Sequence, residues 1–316
     1  MIGLHEVYLV AGLMFGGFAL ASAYDLANPK RWNNAAFWGL FALSFLFGDQ
    51  FGDLANGVLV IAMVLIAGVG GLGQGAPRTT SAEERRASSA KLGMRLLVPA
   101  LAIPLVTLVC VLGLKGVTAN GQPLIEAKHA TLVALTGGAL AAVLLGVLLL
   151  RQPISAAAQE GRRLMDTVGW AALLPQMLAS LGAVFALSGV GPVIGDIAKG
   201  MAISGPLVSV AAYCIGMALF TMIMGNAFAA FPVMTAGLGL PLIVTANGGD
   251  PVAMSAIGML AGFCGTLMTP MAANFNLVPA ALLELHDRNA VIKVQTPTAL
   301  ALLAFNIVLM ALVVYR

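Results

Sequence analysis

From Pro251 to Leu283 no residue carries a formal charge, yet the middle of the run is polar. It reads Gly265-Thr266-Leu267-Met268-Thr269-Pro270-Met271-Ala272-Ala273-Asn274-Phe275-Asn276, between apolar turns. A stretch of this length is long enough to cross a bilayer. Pro270, however, has no N–H and obstructs the carbonyl four residues back, so a continuous helix is costly there. Backbone freed at membrane depth is tolerated only where protein, water or a cavity satisfies it. Secondary transporters build substrate and ion sites from interrupted helices of this kind. The stretch predicts a broken helix near Pro270 with a binding site beside it.

Composition sets the class. Of 316 residues, 60% are hydrophobic and 9% charged, and mean hydropathy is +0.97. Soluble domains are about a quarter charged, so this is an integral membrane protein. The net charge of +3 sits in short loops and reports topology, not nucleic-acid binding. Cys110, Cys214 and Cys264 lie inside apolar runs without paired spacing, so neither a disulfide framework nor a metal site is expected. The first apolar run lacks a basic leader and reads as a membrane helix, not a cleaved signal.

The expected architecture is an all-α polytopic membrane protein of about ten transmembrane segments, with inverted repeats, re-entrant hairpins and the broken helix near Pro270. Candidate runs are 5–24, 35–48, 54–73, 96–114, 131–150, 168–190, 204–224, 231–246, 252–283 and 296–315. The second and eighth are short, which suggests tilted or re-entrant elements. The basic residues Lys30 and Arg31, then Arg78 to Arg95, then Arg151, Arg162 and Arg163 follow the first, third and fifth runs. Placing these loops in the cytoplasm puts the N-terminus outside an inner membrane. The loop Glu284–Lys293 is then cytoplasmic if 252–283 crosses once, and the C-terminus changes sides if it is a hairpin. Within the cytoplasmic loop 74–95, Ser81 and Glu84 form a capping box for a short surface helix.

Two repeats are expected, residues 1–150 and 151–316. Gly48-Asp49-Gln50-Phe51 and Gly225-Asn226-Ala227-Phe228 occupy comparable junctions between apolar runs. Five crossings separate the halves, and an odd number inverts the second relative to the first. Pro99 and Pro104 in the fourth run stand where Pro270 and Pro279 stand in the ninth. They read either as a counterpart break or as ordinary membrane prolines.

Helix N-termini at a break offer free N–H groups and a positive dipole end, which suit a carboxylate. The substrate-binding candidates are accordingly Gly225, Asn226, Phe228, Thr266, Thr269, Pro270, Asn274 and Asn276. Asp49, Asp53, Asn226 and Asn274 are the ion-binding candidates, since an intramembrane carboxylate marks a proton or cation site. Two plainer readings stand beside these. Asp49 and Asp53 fit a solvated turn, and the polar residues around Pro270 fit hydrogen bonds between helices. Gly68 to Gly73 matches GxGxxG but ends a membrane run, and no Walker A lysine, HExxH or GxSxG is present, so no enzyme or cofactor is expected. Gly12-x-x-x-Gly16 and Gly258-x-x-x-Gly262 read as helix-packing faces.

Gly262 to Glu284, Gly169-Trp170-Ala171-Ala172-Leu173-Leu174-Pro175-Gln176-Met177-Leu178-Ala179 and Met224 to Ala236 together resemble the bacterial permease-like family catalogued as domain of unknown function 979. The resemblance runs the whole length and is strongest after Gly169. It implies one subunit of a two-protein inner-membrane transporter, encoded alongside a smaller membrane protein and often near 5-oxoprolinase genes, which points to 5-oxoproline. It also implies a fold similar to ion-transporter-superfamily carriers, with Gly225–Phe228 and Thr266–Asn276 as substrate-contacting tips. The expected function is a secondary carrier subunit for a small carboxylate, driven by Na+ or H+. The alternative is a non-transporting scaffold or assembly subunit whose polar breaks seal an interface.

Overall fold

The computed structural model describes residues 2–75, 80–114, 117–119, 122–200, 205–283 and 285–316. Arg78 and Glu284, both used in the topology argument, lie outside them. The chain is helical almost throughout. The β pairing among the described residues is slight: Thr118–Ala119 joins Gln122–Pro123, and Ile2 forms a single bridge with Ile125. Eight helical stretches among those residues are long and apolar enough to cross a membrane, and Pro251–Leu267 is a shorter apolar helix. The protein is thus a multi-pass helical membrane protein. Its contacts separate into two compact units, Met1–Gly169 and Trp170–Arg316.

The first unit begins with α1 (Leu4–Ala23) and α2 (Arg31–Leu65), the latter extended by a π-helical turn, Ile66–Gly70. As one rod, the 35 residues of α2 would extend about 52 Å. Instead Asn33 Nδ2 donates to Gly71 O at 3.1 Å, and Asn34 Nδ2 to Gly73 O at 2.7 Å. The two ends therefore meet, and α2 is a helical hairpin. It turns at Gly52, whose φ of 68° is open to glycine and strained for other residues. Each arm is about as long as a bilayer is thick, so the second segment is not short: it begins at Arg31. Aromatic rings bind α1 to the first arm. Phe15 stacks on Trp38 and Phe45 at 5.5 and 5.6 Å, and Phe37 and Trp38 are wholly buried.

α3 (Ala82–Leu92) is the charged surface helix. Ser81 Oγ accepts from Glu84 N and Glu84 Oε2 from Ser81 N, the reciprocal cap read from the sequence. α4 (Leu97–Gly113) and α5 (Ala130–Leu150) pack together, and Gly138 lets α5 approach Ile103 O. No break interrupts α4. Pro99 occupies its first turn, where an N–H has no intrahelical partner anyway, and Pro104 is absorbed in a continuous helix. The counterpart break at these prolines is therefore absent.

α6 (Ile154–Val168) carries charge onto the same unit. Arg162, expected to be a loop charge, is 5% exposed and pairs with Asp25 at 2.7 Å. Asp166 Oδ1 accepts from Asn34 Nδ2 at 3.0 Å and Trp38 Nε1 at 2.9 Å. These bonds tie α6 to α1 and α2 within the first unit, which extends to Gly169. They also gather the connections around Asp25, Gly73 and Arg162 at one end of the unit. At the opposite end, Ile2 N donates to Leu124 O at 2.8 Å.

The second unit contains α7 (Leu174–Leu187), α8 (Val190–Gly200), α9 (Pro206–Met224), α10 (Ala227–Met234), α11 (Pro251–Leu267), α12 (Ala273–Leu282) and α13 (Ala290–Val313). A π-helical run, Thr235–Thr245, prolongs α10, so the eighth segment is full length instead of short. Successive contacts pair Tyr213 with Gly258, Met217 with Gly262 and Ala218 with Gly265, so α9 and α11 run parallel. A Cβ on Gly265 would strike the Ala218 carbonyl, and one on Gly262 would meet Met217 Cε at 2.7 Å. Small residues thus permit the close crossing, as the Gly258–Gly262 spacing suggests. α13 is antiparallel to both: Asp250 N donates to Val314 O at 2.8 Å, and Asn306 Nδ2 reaches Cys264 Sγ at 3.6 Å. Because α13 starts on the side where α12 ends, residues 251–282 cross once and do not form a hairpin.

Candidate functional site: two apposed helix breaks

α9 ends at Gly225, whose φ of 75° and ψ of 0° are left-handed. Asn226 is extended and caps α10, its Oδ1 accepting from Phe228 N at 2.7 Å. Gly216 lies against Met234 and Leu238, so α10 turns back along α9 and Gly225–Asn226 is the tip of a hairpin. α11 ends at Leu267 and α12 begins at Ala273, leaving Met268–Ala272 non-helical. The break near Pro270 is therefore present.

The two interruptions touch. A Cβ added to Gly225 would lie 2.6 Å from Met271 O, so only glycine admits the contact. α9 and α11 are about 28 and 26 Å long against about 36 Å for α13, so both breaks fall short of the far end of α13.

Three carbonyls at the breaks have specific side-chain donors. Pro270 has no N–H for Thr266 O, and Asn276 Nδ2 supplies the missing donor at 2.8 Å. The same nitrogen donates to Thr269 O at 2.7 Å. With Asn226 extended, Met222 O loses its helical partner, and Thr269 Oγ1 donates to it at 2.8 Å. Thr269 Oγ1 then accepts from Met271 N at 3.2 Å. Thr269 therefore braces one break against the other.

Asn226, Thr266, Thr269 and Asn276 are all buried, Asn276 completely. Asn274 is half-buried, while Pro270 is exposed. Phe228 is exposed, its ring edge-on to Phe263 at 5.7 Å. Two residues apart on α12, Asn274 and Asn276 face about 200° from one another. Asn276 turns to α11, and Asn274 does not share that direction. Asp49 and Asp53 flank the Gly52 turn of the first unit and are exposed. Gly48, aligned by letters with Gly225, is helical, because the first unit turns four residues later; the four-letter match does not align the two turns. No group of three or more His, Cys, Asp or Glu able to hold a metal occurs among the described residues.

Sequence reasoning missed Thr221 and Met271. Thr221 is wholly buried on α9, one turn before the tip, and its Oγ1 has no partner. A lone threonine in an apolar run one turn before Gly-Asn was its available signal. Met271 acts through its carbonyl, which no side-chain pattern reports.

What these elements define is a multi-pass helical membrane protein in which two helix interruptions meet around buried amide and hydroxyl groups. The chain belongs to the family described as Protein of unknown function (DUF979), whose profile matches residues 5–315. No curated protein matches it. Among solved structures, it is similar to the YdaH transporter of Alcanivorax borkumensis, described as having an unusual topology. Identity there is 16% and the TM-score 0.35, over 98% of this chain and 78% of that one.

Proposed function

We propose that this chain is a subunit of a secondary active transporter for a small carboxylate in the bacterial inner membrane. The observation that carries the reading is the contact between the Gly225–Asn226 tip and the Met268–Ala272 break. The N-termini of α10 and α12 start from these breaks, and helix N-termini favour negative charge. Asn226, Thr269, Asn274 and Asn276, with Gly225, Phe228, Thr266 and Pro270, form the proposed substrate region. Coupling to Na+ or H+ supplies the drive, with Asp49 and Asp53 as further ion candidates at the Gly52 turn. A smaller membrane protein is the proposed partner. The choice of 5-oxoproline as substrate rests on family resemblance alone.

In orientation, the basic connections around Lys30, Arg95 and Arg162 face the cytoplasm and the N-terminus lies outside. Reconstitution with the partner tests the function. Uptake of 5-oxoproline or another small carboxylate under a Na+ or H+ gradient is expected, and its absence under every gradient rejects the proposal.

One observation favours the scaffold reading: the side chains of Thr269 and Asn276 already bond to backbone carbonyls. Alanine at Asn274 and Asn276 separates the two. Loss of transport with an intact complex supports the carrier, and loss of the complex with unchanged substrate affinity supports the scaffold.

A further inference from the structure

Two buried side-chain oxygens near the ends of α9 and α11 have no partner. Asn276 Nδ2 faces Thr266 O and Thr269 O, which fixes the amide, since a flipped group would set oxygen against two oxygens. Its Oδ1 is then buried without any donor, on a side chain that is 0% exposed. Thr221 Oγ1, also wholly buried and unpartnered, lies in the same α9–α11 seam, 3.3 Å from where a Cβ on Gly262 would sit. Buried acceptors of this kind call for a donor or a cation. The parallel helices α9 and α11 both end here, bringing two negative dipole ends together.

The chemistry of the surroundings narrows the guest. Between Pro206 and Leu283 the only ionisable side chains are Tyr213, Cys214, Asp250 and Cys264. Asp250 caps the far end of α11, and no carboxylate or imidazole on α9 to α12 stands at the breaks to carry a proton. A divalent ion would want carboxylate ligands, whereas neutral amide, hydroxyl and carbonyl oxygens suit a monovalent one.

We infer that the seam where α9 and α11 end binds a monovalent metal cation of the sodium class, with Asn276 Oδ1 as its anchoring ligand. This deepens the carrier reading and rests on it for the cation's role in drive. Asn276 thereby has two duties: its nitrogen holds the break open and its oxygen holds the ion.

Thermal unfolding of the purified full-length chain, in sodium, potassium and choline chloride at equal ionic strength, tests the inference. Sodium is expected to raise the midpoint saturably, and choline is expected not to. In Asn276→Gln, which keeps the amide but displaces it by a methylene, the half-saturating sodium concentration should rise about tenfold or more. A wild-type midpoint indifferent to cation identity overturns the proposal, whether or not the variant folds. A folded variant with an unchanged sodium response overturns it equally. Sodium stabilisation without carboxylate uptake would sink the carrier reading and leave the cation site standing. Proton-driven uptake without sodium stabilisation would do the reverse.

Discussion

Asn276 is the residue on which the broken helix most depends. Truncating it to alanine leaves Thr266 O and Thr269 O buried without donors. An unsatisfied buried group costs about 1–3 kcal/mol. Asn276→Ala should therefore lower the unfolding midpoint in detergent more than Asn274→Ala, whose side chain is only half-buried. Equal midpoints for the two would contradict the assignment. Gly225 is limited twice, by its left-handed backbone and by Met271 O. Gly225→Ala should cost at least about 1–2 kcal/mol from backbone strain alone, read in the same assay. Much of this site is legible in the letters, because Pro270, Asn274 and Asn276 are chemically loud in an apolar run. Thr221 and the Met271 carbonyl are not, since burial and backbone position have no letter.

At the scale of elements, what holds the α11–α12 interruption is more than the proline that announces it. Thr269 braces it to Met222 O, Asn276 caps it, and Gly225 fits against it. Pro270→Ala should consequently leave residues 268–272 non-helical. Hydrogen exchange there should remain fast, and slow, helix-like protection would show that proline alone makes the break. The first unit offers the converse lesson. Gly48-Asp49 looks like Gly225-Asn226, yet the turn falls at Gly52. Its position follows from Asn33 and Asn34 meeting Gly71 and Gly73 across nearly 40 residues, a pairing local patterns do not encode. Gly52→Ala should destabilise by about 1–2 kcal/mol, whereas Gly48→Ala, in a helix where an added Cβ would make only an ordinary 3.7 Å contact with Asn56 Oδ1, should be neutral or stabilising. Chemical unfolding of the two variants decides which glycine turns the hairpin.

For the whole molecule, hydropathy and loop charge were enough to read a polytopic helical chain and its grouping of basic connections. Asp25, Gly73 and Arg162 do come together at one end of the first unit. Not legible was that this end is cross-linked by a buried ion pair between residues 137 apart in the chain. With the basic loops placed in the cytoplasm by their charge, single cysteines at Gln50 and Arg288, in a background free of native cysteines, should label oppositely. Gln50 should react from outside intact cells and Arg288 only after permeabilisation. Labelling of both from the same side would contradict the topology.

The most direct measurement is an experimental structure of the complex with a small carboxylate bound. Ligand density should lie within hydrogen-bonding distance of Asn226 and of the backbone N–H groups that open α12. A carboxylate bound elsewhere, with partner side chains filling the two breaks, would contradict the account.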